Sequence, residues 1–150
     1  AADTVVAILG GHSEDVVAQL ALPAFPLGYV SDERKIVDVY NAADVFVLPS
    51  LEDNLPNTIM EAMACGVPCV GFKVGGIPEM IDHRRNGYVA AFRDAADLAA
   101  GIRWVLGEAD YAELQRQALS KVAASYSQRS VAMRYIEVYN QAMAFKDYSL

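Results

Sequence analysis

The chain has 150 residues, 54% of them hydrophobic, and a formal net charge of −7. That is enough apolar material for one globular domain with a core, and the acidic balance argues against a nucleic-acid surface, which needs a basic stripe. No apolar run approaches the roughly 18 residues of a membrane span, and the N-terminus lacks the basic start and long apolar centre of a signal peptide.

Without an initiator Met and entering a strand almost at once, the chain reads as a fragment of a longer protein. Short apolar runs then alternate with helical patterns, which predicts a parallel sheet with crossover helices. Thr4–Leu9 reads as a strand ending in Gly10-Gly11, with Ser13 as cap of a helix through Leu20. Phe25–Tyr29 is a second strand, and Ser31-Asp32 opens a helix whose apolar face holds Ile36, Val37 and Tyr40. Asp44–Leu48 is a third strand, Asn57–Cys65 a helix ended by Gly66, and Pro68–Phe72 a fourth strand. Gly75-Gly76-Ile77-Pro78 leads into a short helix, where Pro suits the first turn. Asn86-Gly87 marks a turn before the short strand Tyr88–Ala91. Three helices follow, over Ala95–Leu106, Tyr111–Tyr126 and Ser130–Phe145. The apolar stripes of these last helices, with Trp104, Tyr135 and Tyr139, read as core or domain-packing surface. The expected fold is a single α/β layer structure, Rossmann-like, with a helical C-terminal end.

Open parallel sheets bind ligands beyond the carboxyl ends of their strands. The loops Gly10-Gly11, Gly28–Asp32, Pro49–Asn57 and Lys73–Ile77 are all predicted to lie there. The densest chemistry is in Asp53-Asn-Leu-Pro-Asn-Thr-Ile-Met-Glu61-Ala-Met-Ala-Cys-Gly66. Ile59, Met60, Ala62, Met63 and Ala64 ask to be buried, so Glu61 is expected to be a carboxylate stripped of water unless a ligand holds it. A helix starting near Asn57 points unpaired N–H groups and the positive end of its dipole at the preceding loop, which suits phosphate. Carboxylates that accept from hydroxyls, set beside such a helix end, fit a ligand with both a diphosphate and sugars. Cys65 and Cys69 have no metal-ligand spacing around them and read as buried free thiols, suggesting a reducing, cytoplasmic setting.

Pro49-Ser-Leu-Glu-Asp-Asn-Leu-Pro-Asn-Thr-Ile-Met-Glu-Ala-Met-Ala-Cys-Gly-Val-Pro-Cys-Val70 resembles the C-terminal domain of family 4 glycosyltransferases of the two-domain GT-B architecture. Gly28–Asp32 and Ala42–Ser50 resemble the blocks before it, and Gly75–Glu79 and Asn86–Tyr88 those after it. The family's mark is a pair of glutamates with seven residues between them, followed by Ala-Met-Ala-x-Gly-x-Pro. Here Asp53 stands for the first Glu, and Asp-Asn-Leu-Pro-Asn-Thr looks like a variant found among enzymes that build bacterial surface polysaccharides. The family's opening strand and helix, with a Gly-Arg…Lys-Gly segment, has no match in this chain, nor does the acceptor-binding N-terminal domain.

The resemblance implies the nucleotide-sugar-binding half of a retaining transferase, moving a hexose from a UDP-, GDP- or ADP-sugar to a saccharide or lipid-linked acceptor. It implies no metal and no cofactor, with the isolated chain inactive. Asp53 and Glu61 would be the catalytic carboxylates, Glu61 on the ribose hydroxyls and Asp53 on the transferred sugar. Asn54, Leu55, Asn57 and Thr58 would offer backbone N–H groups, with Gly75, Gly76 and Ile77 as a second backbone-rich turn. Val30, Asp32 and Lys35 would contact the base. Each has a plainer reading: a helix-start Glu, a turn Asp, capping residues, a strand-end Val and a solvated Lys. A sugar-nucleotide epimerase and a non-catalytic nucleotide-binding domain are the alternatives, and peripheral attachment to the inner face of the membrane stays open.

Overall fold

The structure, a computed structural model, describes residues 4–146. The chain divides into two compact units, Ala1–Val39 and Tyr40–Leu150. The expected α/β class with parallel strands and flanking helices is found, and within the described residues the strands pair as a two-stranded sheet in the first unit and a three-stranded sheet in the second.

In the first unit, β1 (Val6–Leu9) and β2 (Ala24–Gly28) pair in parallel around the short helix α1 (Ser13–Val17). Pro26, opposite Ile8, has no N–H to give to a further strand, consistent with an edge position. The expected Ser13 cap is wrong. His12 holds the N-cap position in the left-handed region (φ 59°), without a side-chain capping bond. Ser13 is buried instead, and its Oγ accepts from Gly28 N at 3.2 Å, tying the helix start to the end of β2. The helix also stops short of Leu20, because Gln19 and Leu20 donate to Val16 and Val17, a tightening of the last turn. Helix α2 (Glu33–Asn41) then carries the chain into the second unit.

The second unit is built on the parallel order β3-β4-β5, with β3 at Phe46–Leu48, β4 at Cys69–Phe72 and β5 at Gly87–Ala90. All residues of the central strand β4 are buried, as expected of a parallel strand covered on both faces. Between the strands lie α3 (Asn57–Ala64) and α4 (Ile77–Met80), and α5 (Ala95–Gly107), α6 (Tyr111–Ser125) and α7 (Gln128–Lys146) follow. Val70, Phe72, Tyr88 and Ala90 from the sheet pack with Val105 of α5 and Leu114 of α6, and Trp104 leans on this cluster half-buried. Helix α3 buries Ile59, Ala62 and Met63. Asp94 and Asp110 cap α5 and α6 by accepting from Asp97 N and Glu113 N, the usual role of Asp before a helix. Along α7, Tyr135 and Tyr139 are exposed, with ring centroids 6.2 Å apart, so of the two readings, core or domain-packing surface, the core is excluded for them.

Candidate functional site

The loop after β3 runs from Pro49 to Pro56 and delivers the chain into α3. Pro56 occupies the N-cap position in extended geometry (φ −68°, ψ 118°) and no side chain caps the helix. Neither Asn57 nor Thr58 is the cap, which corrects one of their sequence readings. The N–H groups of the first turn precede the first intrahelical bonds and point along the axis, and Ile59 N reaches back only to Pro56 O, at 3.2 Å. A first turn that no side chain caps keeps the positive end of its dipole unneutralised by a capping side chain, which is compatible with an anion there.

Helical periodicity overturns the expectation of a buried Glu61. Ile59, Ala62 and Met63 form the buried stripe of α3, and Asn57, Glu61 and Ala64 the exposed one. Apolar neighbours in sequence say little about the residue between them when positions i and i+2 face different ways. Glu61 therefore stands on the open face, one turn beyond Asn57.

It is nonetheless held. The Tyr40 hydroxyl donates to Glu61 Oε2 at 3.1 Å. Tyr40 is itself only 2% exposed and packs edge-on to Phe46, ring centroids 5.6 Å apart. Burial first, then the charge of Glu61, pushes the Tyr40 phenol above its ordinary range, so it remains a donor. Sequence reading placed Tyr40 on an apolar face and stopped there. The signal was available: a tyrosine on a buried face needs a partner for its hydroxyl.

The loop after β4, Lys73–Gly76, meets the loop after β3 directly. Gly76 N donates to Asn54 O at 2.6 Å, and Ile77 N to Val74 O at 3.2 Å. The expected offer of these N–H groups to a ligand is thus taken up within the protein. What Gly76 supplies is closeness, since a Cβ there would lie 2.1 Å from Asn54 O. Asn54 and Leu55 are exposed on the joined loops, and Asp53 is half-buried beside Gly75.

Val30, Asp32 and Lys35 belong to the first unit. Val30 is half-buried, and Asp32 and Lys35 are exposed. Asp32 Oδ1 accepts from Arg34 N at 2.9 Å, the bond of a helix-start Asp. A cavity of about 310 Å³, lined by Arg84, Arg85, Trp104, Glu113 and Gln117, lies where the chain enters β5. That is the amino edge of the parallel sheet, opposite the edge that carries the Asp53 and Gly75 loops.

Residues 1–108 match the family Glycosyl transferases group 1. The chain belongs to that family. Its α/β fold, parallel strands with flanking helices, is that of the C-terminal domains of GT-B glycosyltransferases. The amylovoran biosynthesis glycosyltransferase AmsK of Erwinia amylovora is 33% identical over 139 residues, covering 88% of this chain and 32% of AmsK. The N-acetyl-alpha-D-glucosaminyl L-malate synthase of Bacillus anthracis is 28% identical over 112 residues, 74% of this chain and 29% of the relative. Among solved structures, sucrose-phosphate synthase of Thermosynechococcus elongatus superposes with a TM-score of 0.78 at 25% identity, covering 92% of this chain and 38% of that one. Anabaena HepE, solved with UDP, does so with a TM-score of 0.76 at 21% identity, covering 91% and 41%. The chain spans about a third of the length of the curated relatives.

Proposed function

We propose that this chain is the donor-binding part of a retaining hexosyltransferase acting from a nucleoside-diphosphate sugar onto a saccharide or lipid-linked acceptor. The observation that carries the reading is the exposed stripe of α3, where the uncapped first turn at Asn57 and the carboxylate of Glu61 share one face. A diphosphate at the helix start and a ribose one turn further along would match that spacing. HepE has also been solved with UDP-glucose, with a TM-score of 0.75 to this chain. Amylovoran synthesis by AmsK and the diphospho-undecaprenol acceptor named for the Campylobacter jejuni relative suggest a polymeric or lipid-linked acceptor.

Catalysis follows from charge. As the sugar–phosphate bond lengthens, negative charge grows on the diphosphate and positive charge on the anomeric carbon. The N-terminus of α3 would stabilise the first. Asp53, in the loop that Gly75 braces, would favour the second while accepting from hydroxyls of the sugar. No metal is needed in this scheme, because the helix end and cationic residues outside this chain would carry the diphosphate's charge. The acceptor would be bound by a further domain, so the chain alone is expected to be inactive.

The test uses the longer protein with each sugar nucleotide and a saccharide acceptor, with the product's anomeric configuration read by NMR. A product of retained configuration, absent with the 150-residue chain alone, is the expected result. Inverted configuration, or turnover by this chain alone, would refute the reading.

A further inference from the structure

We infer that Tyr40 is a positioning residue for the nucleotide's ribose, acting through Glu61; this rests on the donor-binding reading above. Glu61 is exposed, and a Glu side chain on an open helix face ordinarily samples several rotamers at little cost. Here one carboxylate oxygen is fixed by the Tyr40 hydroxyl at 3.1 Å. The tyrosine cannot follow a wandering carboxylate, because its ring is buried and wedged against Phe46, 5.6 Å between centroids. The bond occupies Oε2 and leaves Oε1 and the remaining lone pairs free to accept. Glu61 is thus pre-oriented, and less rotamer entropy is lost when hydroxyls arrive.

The geometry also explains why a tyrosine stands at the end of α2. Phenylalanine would fill the same space against Phe46 and satisfy the core equally well. Only the hydroxyl reaches out of the core to the helix face that carries Glu61. No other residue described in the structure hydrogen-bonds to the Glu61 side chain, so its orientation depends on this contact.

Titration calorimetry with UDP, GDP and ADP, and with their 2′,3′-dideoxy counterparts, tests the inference on wild type, Tyr40→Phe, Glu61→Ala and the double variant. Tyr40→Phe is expected to weaken the ribonucleotide by about tenfold, the scale of one hydrogen bond to a charged group. The dideoxy nucleotide should bind Tyr40→Phe and wild type alike, and Tyr40→Phe should add nothing in the Glu61→Ala background. An equal loss for ribose and dideoxyribose forms would make Tyr40 merely structural and overturn the inference. Unchanged ribonucleotide affinity in Tyr40→Phe would overturn it too. If Tyr40→Phe fails to melt cooperatively, Glu61→Asp withdraws the carboxylate from Tyr40 at an exposed position, and wild-type affinity there contradicts the inference. The titrations use the longer protein, which supplies the cationic residues outside this chain; should that wild type bind no nucleotide, the donor-binding reading itself fails, a result distinct from wild-type binding that Tyr40→Phe leaves unaltered.

Discussion

A Cβ built on Gly75 would lie 1.5 Å from the carbonyl oxygen of Asp53. The loops that follow β3 and β4 therefore touch backbone to backbone, and the half-buried Asp53 is braced from behind by a residue with no side chain. Gly75 also has a φ of +51°, in the left-handed region.

Gly75→Ala should consequently be costly. The left-handed conformation alone is worth about 1–2 kcal/mol against alanine, and the overlap with Asp53 forces the loops apart. Urea unfolding should show a loss of about 3 kcal/mol or more, in the range reserved for strained or overpacked sites. Gly107→Ala, at the end of α5 where nothing lies within 4 Å of the added Cβ, is the control and should be neutral or stabilising by up to about 1 kcal/mol.

Acid should weaken the second unit through Asp97 and Glu113. Asp97 accepts from Ala91 N and from the Tyr88 hydroxyl, each at 2.7 Å, and these bonds hold its pKa below the usual 3.8. Arg116 and Gln117 hold Glu113 down to about 2. Both carboxyls have folded values below their unfolded ones. Their contribution is therefore present above the ordinary carboxylate range and lost as pH falls through the folded values. The melting temperature should drop steepest below about pH 4, and Asp97→Asn should make that drop shallower. An unchanged slope in Asp97→Asn would show that the carboxylate is not linked to folding.

The thiols should differ in reactivity. Cys69 is fully buried, its Sγ 3.5 Å from Val67 O and 3.8 Å from Ile59 O, and burial pushes the thiol up. Cys65, at the end of α3 and half-buried, is raised by burial and then by Glu61. With a disulfide reagent at pH 8, native chain should react slowly at Cys65 and only after unfolding at Cys69. Rapid modification of Cys69 in the native state would contradict its packing.

The order and type of the elements were legible because each strand is a short apolar run with a Pro, Gly or Asn at one of its ends. Gly66 ended α3 where expected: Val67 N returns to Ala62 O and Gly66 N to Met63 O, a Schellman ending that favours glycine. What failed were facts of direction and partnership. Ser13 has the composition of a cap but faces Gly28, and Glu61 has apolar neighbours but points outward. The Gly76 N–H is free as far as its own segment goes, but Asn54 O lies opposite it. Each depends on a residue distant in sequence or on helical phase, neither of which composition records. Tyr40 went unread for the same reason, since its partner lies 21 residues away.

The most direct test of the donor-binding claim is calorimetric titration of this chain with UDP, GDP and ADP beside a Glu61→Ala variant. Binding of one nucleotide, lost or much weakened in Glu61→Ala, is the predicted result and would identify the base. Binding that Glu61→Ala leaves intact would contradict the placement of the ribose on α3.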